Sequence, residues 1–343
     1  MVVQRSALYL ILALCAAVPG CGKKDVPSGP PPELTGLAVV PASVEVVVGA
    51  DLVKLTDAPV IDRALEQLLM RDATLSDRWQ RLKDECKIDL GKQIKRVMLA
   101  LGPNRPGPAP GTGPVLMVAV GSLQETELQQ CVTKLIGAGG GSVTGKSVAG
   151  RTVYLAKDGN RTMYFAYTRP DTVVLSADEA YLTEALGPGK KAPDNPDLTA
   201  WRKLVNQSAP LWAVGRTDPR IRDGLVQLTE RKISEGPVAF ALSADLADGA
   251  RLQLSAVMNQ PDQAKALESY VKGELALLTA AAQLRSLGSV VGKIAVASDG
   301  NVVQFHAALT VDDLNRLLSV LDGDSTPPQN RAPPQPSPGS GAQ

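Results

Sequence analysis

Along most of the chain, apolar positions recur in two rhythms. A period of two marks strands with one buried face, and a period of three to four marks amphipathic helices. Ser43–Gly49 (SVEVVVG) is β-branched and strand-like. Pro59–Cys86 repeats at helical spacing, with a weak point near Asp72, Ala73 and Thr74. Ile94–Leu101 and Val115–Val120 read as strands, joined by a Pro/Gly loop (GPNRPGPAPGTGP) with few backbone donors and little to bury. Glu125–Ile136 sets Leu128, Cys131, Val132, Leu135 and Ile136 on one helical face. Strands are expected at Thr152–Ala156, Thr162–Tyr167 and Thr172–Leu175, and a helix at Asp178–Leu186.

Gly187–Pro196 (GPGKKAPDNP) interrupts this rhythm and reads as an internal linker. A second series follows: a helix at Leu198–Asn206, strands at Leu211–Gly215, Val238–Ala244 and Arg251–Met258, and a long helix from Pro261 to about Leu287. Strands at Lys293–Ala297 and Val302–Leu309 and a helix at Val311–Leu321 complete it. The tail STPPQNRAPPQPSPGSGAQ offers too little apolar surface to offset the entropy of ordering it. The expected layout is a signal segment over 1–20, a tether over 21–35, one module over 36–187, a linker over 188–197, a second module over 198–323 and a tail over 324–343.

The two series look alike. Each opens with a strand ending in Gly and then Asp, VVVGAD at Val46–Asp51 and WAVGRTD at Trp212–Asp218. Each later carries a hairpin on Asp-Gly-Asn, at Asp158-Gly159-Asn160 and Asp299-Gly300-Asn301, where Gly tolerates the positive φ of a tight turn. The fold class expected is α+β: two similar modules, each an antiparallel sheet with helices packed on one face.

The N-terminus adds a compartment to this picture. MVVQRSALYLILALCAAVPGCGKKD has Arg5, then an apolar run from Ala7 to Val18 that is too short to span a bilayer, then small residues, as secretory signals do. Val18-Pro19-Gly20-Cys21 resembles the lipobox of bacterial lipoproteins, although Leu followed by Ala or Ser is the commoner pattern before the Gly. That resemblance implies that Cys21 is acylated and becomes the mature N-terminus; ordinary cleavage after Ala17 is the alternative. Two or more acyl chains, at about 0.8 kcal/mol per buried methylene, hold a protein durably where one does not. Gly22–Leu34, rich in Pro and Gly, suits a semi-rigid tether. By analogy with lipoprotein sorting, Gly22 after the lipidated cysteine favours the outer membrane, with the body facing the periplasm. The body loosely resembles exported lipoproteins of high-GC bacteria with a duplicated α+β module, a likeness of layout that transfers no activity.

Cysteine use depends on that compartment. With Cys15 removed and Cys21 lipidated, Cys86 and Cys131 remain of the four. They are either a disulfide, as an oxidising compartment allows, or two buried thiols on apolar helix faces.

Composition mostly excludes. A net charge of +1 gives no field for nucleic acid, and 3% aromatic residues give no base-stacking platform. One histidine, His306, rules out a His-rich metal site, and strand alternation makes it a half-exposed sheet residue. No serine or cysteine sits in a G-x-S-x-G elbow. Gly140–Ser147 (GGSVTGKS) spells a P-loop, but a helix precedes it and a strand follows, the reverse of what a phosphate cradle needs, so no nucleotide is expected. Asp84, Glu85 and Asp89 read as a charged helix end, while Asp51 and Asp218 are expected to cap the helices after them and only remotely to form a catalytic pair. The apolar stripe of Ala264, Leu267, Val271, Leu275 and Leu278 either covers a sheet or lines a greasy cavity.

No catalytic, cofactor or metal residues are expected. The favoured function is a non-enzymatic, lipid-anchored envelope module that binds a protein partner or supports assembly. The alternatives are a carrier or sensor of a hydrophobic ligand such as a lipid, and a hydrolase with an unfamiliar site. The anchor is testable: Cys21→Ser is expected to block processing and move the protein from the membrane fraction to the soluble one, while an unchanged distribution refutes the lipobox.

Overall fold

The structure, a computed structural model, describes residues 33–56, 69–104, 112–283 and 288–321, together with positions 31, 58 and 66. Cys21 and the tether before Glu33, apart from Pro31, and the tail after Leu321 lie outside those residues. Among the described residues, no helix is long and apolar enough to cross a membrane.

The strands are β1 (Val46–Asp51), β2 (Ile94–Leu101), β3 (Val115–Gly121), β4 (Ser142–Val148), β5 (Arg151–Asp158), β6 (Arg161–Arg169), β7 (Thr172–Ser176), β8 (Leu211–Arg216), β9 (Ala239–Asp245), β10 (Ala250–Val257), β11 (Ile294–Asp299) and β12 (Val302–Leu309). The helices are α1 (Leu52–Leu55), α2 (Ala73–Cys86), α3 (Leu90–Gln93), α4 (Glu125–Ala138), α5 (Glu179–Leu186), α6 (Pro196–Trp201), α7 (Pro219–Leu228), α8 (Pro261–Gln283), α9 (Gly288–Val291) and α10 (Val311–Leu321). Among the described residues the fold is α+β, with one antiparallel sheet of 12 strands in the order β11-β12-β10-β9-β8-β1-β2-β3-β7-β6-β5-β4.

Two separate sheets were the expectation, and the difference lies at β1 and β8. These strands pair antiparallel from Val46 opposite Gly215 to Ala50 opposite Leu211. Left apart, each would be an edge with a row of unpaired N–H and C=O groups. Both are apolar on either side (Val46, Val47 and Val48; Ala213 and Val214), a composition suited to the middle of a sheet. The two Asp-Gly hairpins do form, with φ of +56° at Gly159 and +54° at Gly300. They do not hold matching places, because β5–β6 sits one strand further from the centre than β11–β12. Strand β4, most of the stretch that spells the P-loop, pairs along its whole length with β5.

On the front face, Val47, Ala100, Leu116, Val174 and Val214 form a core roofed by Val39 and Val40, α5 and Leu198. The stretch expected as a linker, 188–197, is docked into this roof. Ala192 is buried and donates its N–H to Val40 O at 2.8 Å. Lys191 Nζ reaches the α5 C-terminus, donating to Glu184 O at 3.0 Å and Ala185 O at 2.7 Å, where a cation meets unpaired carbonyls and the negative end of the helix dipole. Asn195 then caps α6 through Leu198 N.

The back face carries two further cores at opposite ends of the sheet. One packs Leu128 and Cys131 of α4 and Ile88 on Ala119, Phe165, Tyr167 and Val173. The other packs Ala264 and Leu267 of α8, with Tyr270 and Leu275, on Ala256, Val296, Val303 and Phe305. Thus α8 covers sheet over this stretch, although Leu278, expected in the same stripe, is exposed. Cys86 and Cys131 are disulfide-bonded, tying the end of α2 to α4. At the start of α10, Asp313 Oδ2 accepts from Thr310 N and Thr310 Oγ1, each at 2.8 Å, and Thr310 Oγ1 accepts from Asp313 N, a reciprocal cap. Lys293 Nζ also donates to Asp313 Oδ2.

Two outcomes follow from this packing. The bridge spans 45 residues of sequence, so reduction is expected to lower unfolding stability by about 2–4 kcal/mol in denaturant titrations with and without reductant. The hydrogen bond from Lys293, then those from Thr310, bring the Asp313 carboxyl down to about 2. A carboxylate depressed in the folded state contributes stability above its unfolded value of about 4 and loses it as pH falls through the folded value. Asp313→Asn is therefore expected to reduce stability near neutrality and to flatten its decline between about pH 4 and 2.

Candidate functional site

The sequence-derived candidates resolve into local structural roles. Asp51 accepts from Lys54 N at 3.4 Å and caps α1, and Asp218 accepts from Arg220 N at 2.8 Å and caps α7, as the sequence implied. Because β1 and β8 run antiparallel, the two aspartates fall at opposite ends of that pair and form no joint site. Hydrogen bonding from Arg220, its bidentate partner, holds the Asp218 carboxyl below the usual carboxylate range. The P-loop lookalike is edge strand β4. Its Lys146 pairs with Glu179 and lies 5.6 Å from the Tyr164 ring centre, so no phosphate nest surrounds it. His306 is exposed on β12 beside Gln304. Asp84 and Glu85 bond to Gln80 and Arg81 along α2, and Asp89 precedes α3, 3.7 Å from Lys92. Among the described residues, no group of three or more His, Cys, Asp or Glu is placed to hold a metal.

Two larger features remain, and neither was visible to motif reading. The first is an apolar band across the back face. Following the register from strand to strand, one row runs Phe165, Leu175, Met117, Leu99, Val48, Ala213, Leu242, Leu254, Phe305 and Val296. Its ends lie under α4 and α8. Among the described residues, its middle, from Met117 to Leu254, joins none of the three cores. Leu99 is 36% exposed and its neighbour Val115 45%, whereas Met117, Val48, Leu242 and Leu254 are partly buried and the small Ala213 is buried. From β3 to β10 the band crosses six strands, about 24 Å at a strand spacing of about 4.8 Å.

The second feature is a cleft of about 480 Å³ on the front face, at the β8-β1-β2-β3 seam. Met98, Val118 and Trp212 lie along it, Thr35 and Gly36 bound one part, and Gln207, Ser208 and Ala209 another. Gly49 faces Trp212 across the β1–β8 ladder, and the indole covers it so closely that a Cβ there would lie 2.3 Å from Trp212 Cε2. Lys54, Asp51 and Arg96 stand at the polar margin. Each sits in an ordinary-looking stretch of sequence; only the pairing of four strands from distant segments gathers them.

No family model matches the chain, and no curated protein matches it. A solved structure titled "Structure of crystal form I of TP0453" is similar at 10% identity, covering 84% of this chain and 98% of its own, with a TM-score of 0.41. At that distance no property passes from one protein to the other.

Proposed function

We propose that this protein is a lipid-anchored, non-enzymatic module of the bacterial cell envelope, held at Cys21 to the outer membrane and facing the periplasm, which docks a partner protein on the back of its sheet. The observation that supports this is the apolar band. An apolar strip of that length, partly exposed between two helix-covered ends, is larger than the scattered apolar residues an ordinary surface shows. Where the same row of side chains is covered, helices α4 and α8 cover it with apolar faces. The partner we infer presents such helix faces, continuing the helical layer across the sheet.

We further propose that the sheet arose from a duplicated α+β module. In this reading β1, β2, β3, α4, β6 and β7 correspond to β8, β9, β10, α8, β11 and β12, with β4 and β5 added to the first copy. Superposing the two sets checks it: all six elements overlaying in one order and one register supports duplication, and any element left unmatched rejects it.

The partner reading has a direct test. With a photo-crosslinking residue at position 99, a reproducible envelope protein adduct is expected in cells, and none with the same residue at exposed position 157. Leu99→Asp with Val115→Asp is expected to reduce that partner's recovery at least tenfold while thermal unfolding moves little. Unchanged recovery, or no adduct at position 99, rejects the band as a docking face.

A further inference from the structure

The front-face cleft lies on the opposite side of the sheet from the docking band and is independent of it. Its volume, about 480 Å³, falls within the range of about 300–1,000 Å³ typical of small-molecule sites. Its floor is apolar and preformed, because Val118 is buried in the front core and Met98 and Trp212 pack against that core. The indole is fixed by its contact with Gly49, a position where any side chain would push it away. The indole N–H meets no acceptor among the described residues.

The margin is cationic by one charge. Lys54 Nζ donates to Ser208 O at 2.9 Å and lies 3.7 Å from Asp51 Oδ2, so these two opposite charges balance. Arg96, on the neighbouring strand, has neither an acid nor a hydrogen-bond acceptor as partner among the described residues. A guanidinium offers planar, paired donors that match a carboxylate. An apolar floor, an aromatic ring and one uncommitted guanidinium at the rim define the complement of a single kind of molecule.

We propose that this cleft binds a small amphipathic acid, its apolar body lying on Met98, Val118 and Trp212 and its carboxylate on Arg96. The site is a binding site only; no bond is made or broken there. Charge fixes the polarity of the ligand and the seam fixes its place, since β1, β2, β3 and β8 must all be present to form it.

Calorimetric titration of the full-length protein with sodium decanoate, below the concentration at which it forms micelles, tests this. One saturable site is expected, weakening about fourfold for each methylene removed in a series down to octanoate, as about 0.8 kcal/mol per methylene requires. Arg96→Gln is expected to weaken decanoate at least tenfold and leave neutral decanol unchanged, and Arg96→Lys to recover part of the loss. The Leu99→Asp, Val115→Asp protein, altered on the other face, is expected to bind decanoate as the parent does. Four results each overturn the proposal: no saturable decanoate binding up to about 1 mM, equal decanoate binding by Arg96→Gln, equal loss of decanol and decanoate in that variant, or loss of binding in the back-face variant. Circular dichroism melting of each variant confirms that it is folded before it is titrated.

Discussion

Everything in this molecule rests on the hydrogen-bonded ladder between β1 and β8. It turns two sets of strands into one sheet, and both candidate surfaces depend on it: the back-face band crosses it and the front-face cleft opens beside it. The physical reason is the ordinary cost of unpaired backbone groups on an apolar strand. Gly49 and Gly215 show how tightly the seam is fitted, since a Cβ on Gly215 would lie 2.4 Å from Glu45 O, close to the contact that excludes one at Gly49. The two glycines that drew attention as matching strand ends are thus required by close approach across the seam.

Much of the local structure was legible because it is determined locally. The apolar run in Ile94–Leu101 gave β2 to the residue, and Val311–Leu321 gave α10 equally well. Asp51 and Asp218 were readable as caps because a side chain two or three residues from the free N–H groups is a short-range matter. The break at Asp72 ahead of α2 was also visible. Strand β4 was not, because Gly145 and the serines of GSVTGKS have weak strand preference, and its pairing with β5 decides its state. The docking of the 188–197 segment was not legible for a related reason. Proline and glycine mark a change of direction, but whether the turn floats or docks depends on partners such as Val40 and the α5 carbonyls, which are distant in sequence.

The candidate surfaces were the least legible of all. Trp212, Gly49, Met98 and Arg96 come from three strands whose adjacency is a property of topology, and no spacing rule connects them. The apolar stripe of Pro261–Gln283 covers sheet, the first of its two readings: Leu267, Tyr270 and Leu275 pack against Val296, Val303 and Phe305. The unfilled apolar surface lies instead between the helices, where strands from both series contribute alternate residues. Periodicity assigned those residues a face but not what covers that face.

The position of β1 has a mechanical consequence. The chain passes from the roof residues Val39 and Val40 directly into the central strand, which is bonded on one side to β2 and on the other to β8. Tension arriving from the N-terminal side therefore loads two rows of backbone bonds together, with the roof core as a buffer ahead of them. A sheet pulled from an outermost strand would unzip bond by bond; one gripped at its midline must yield in shear.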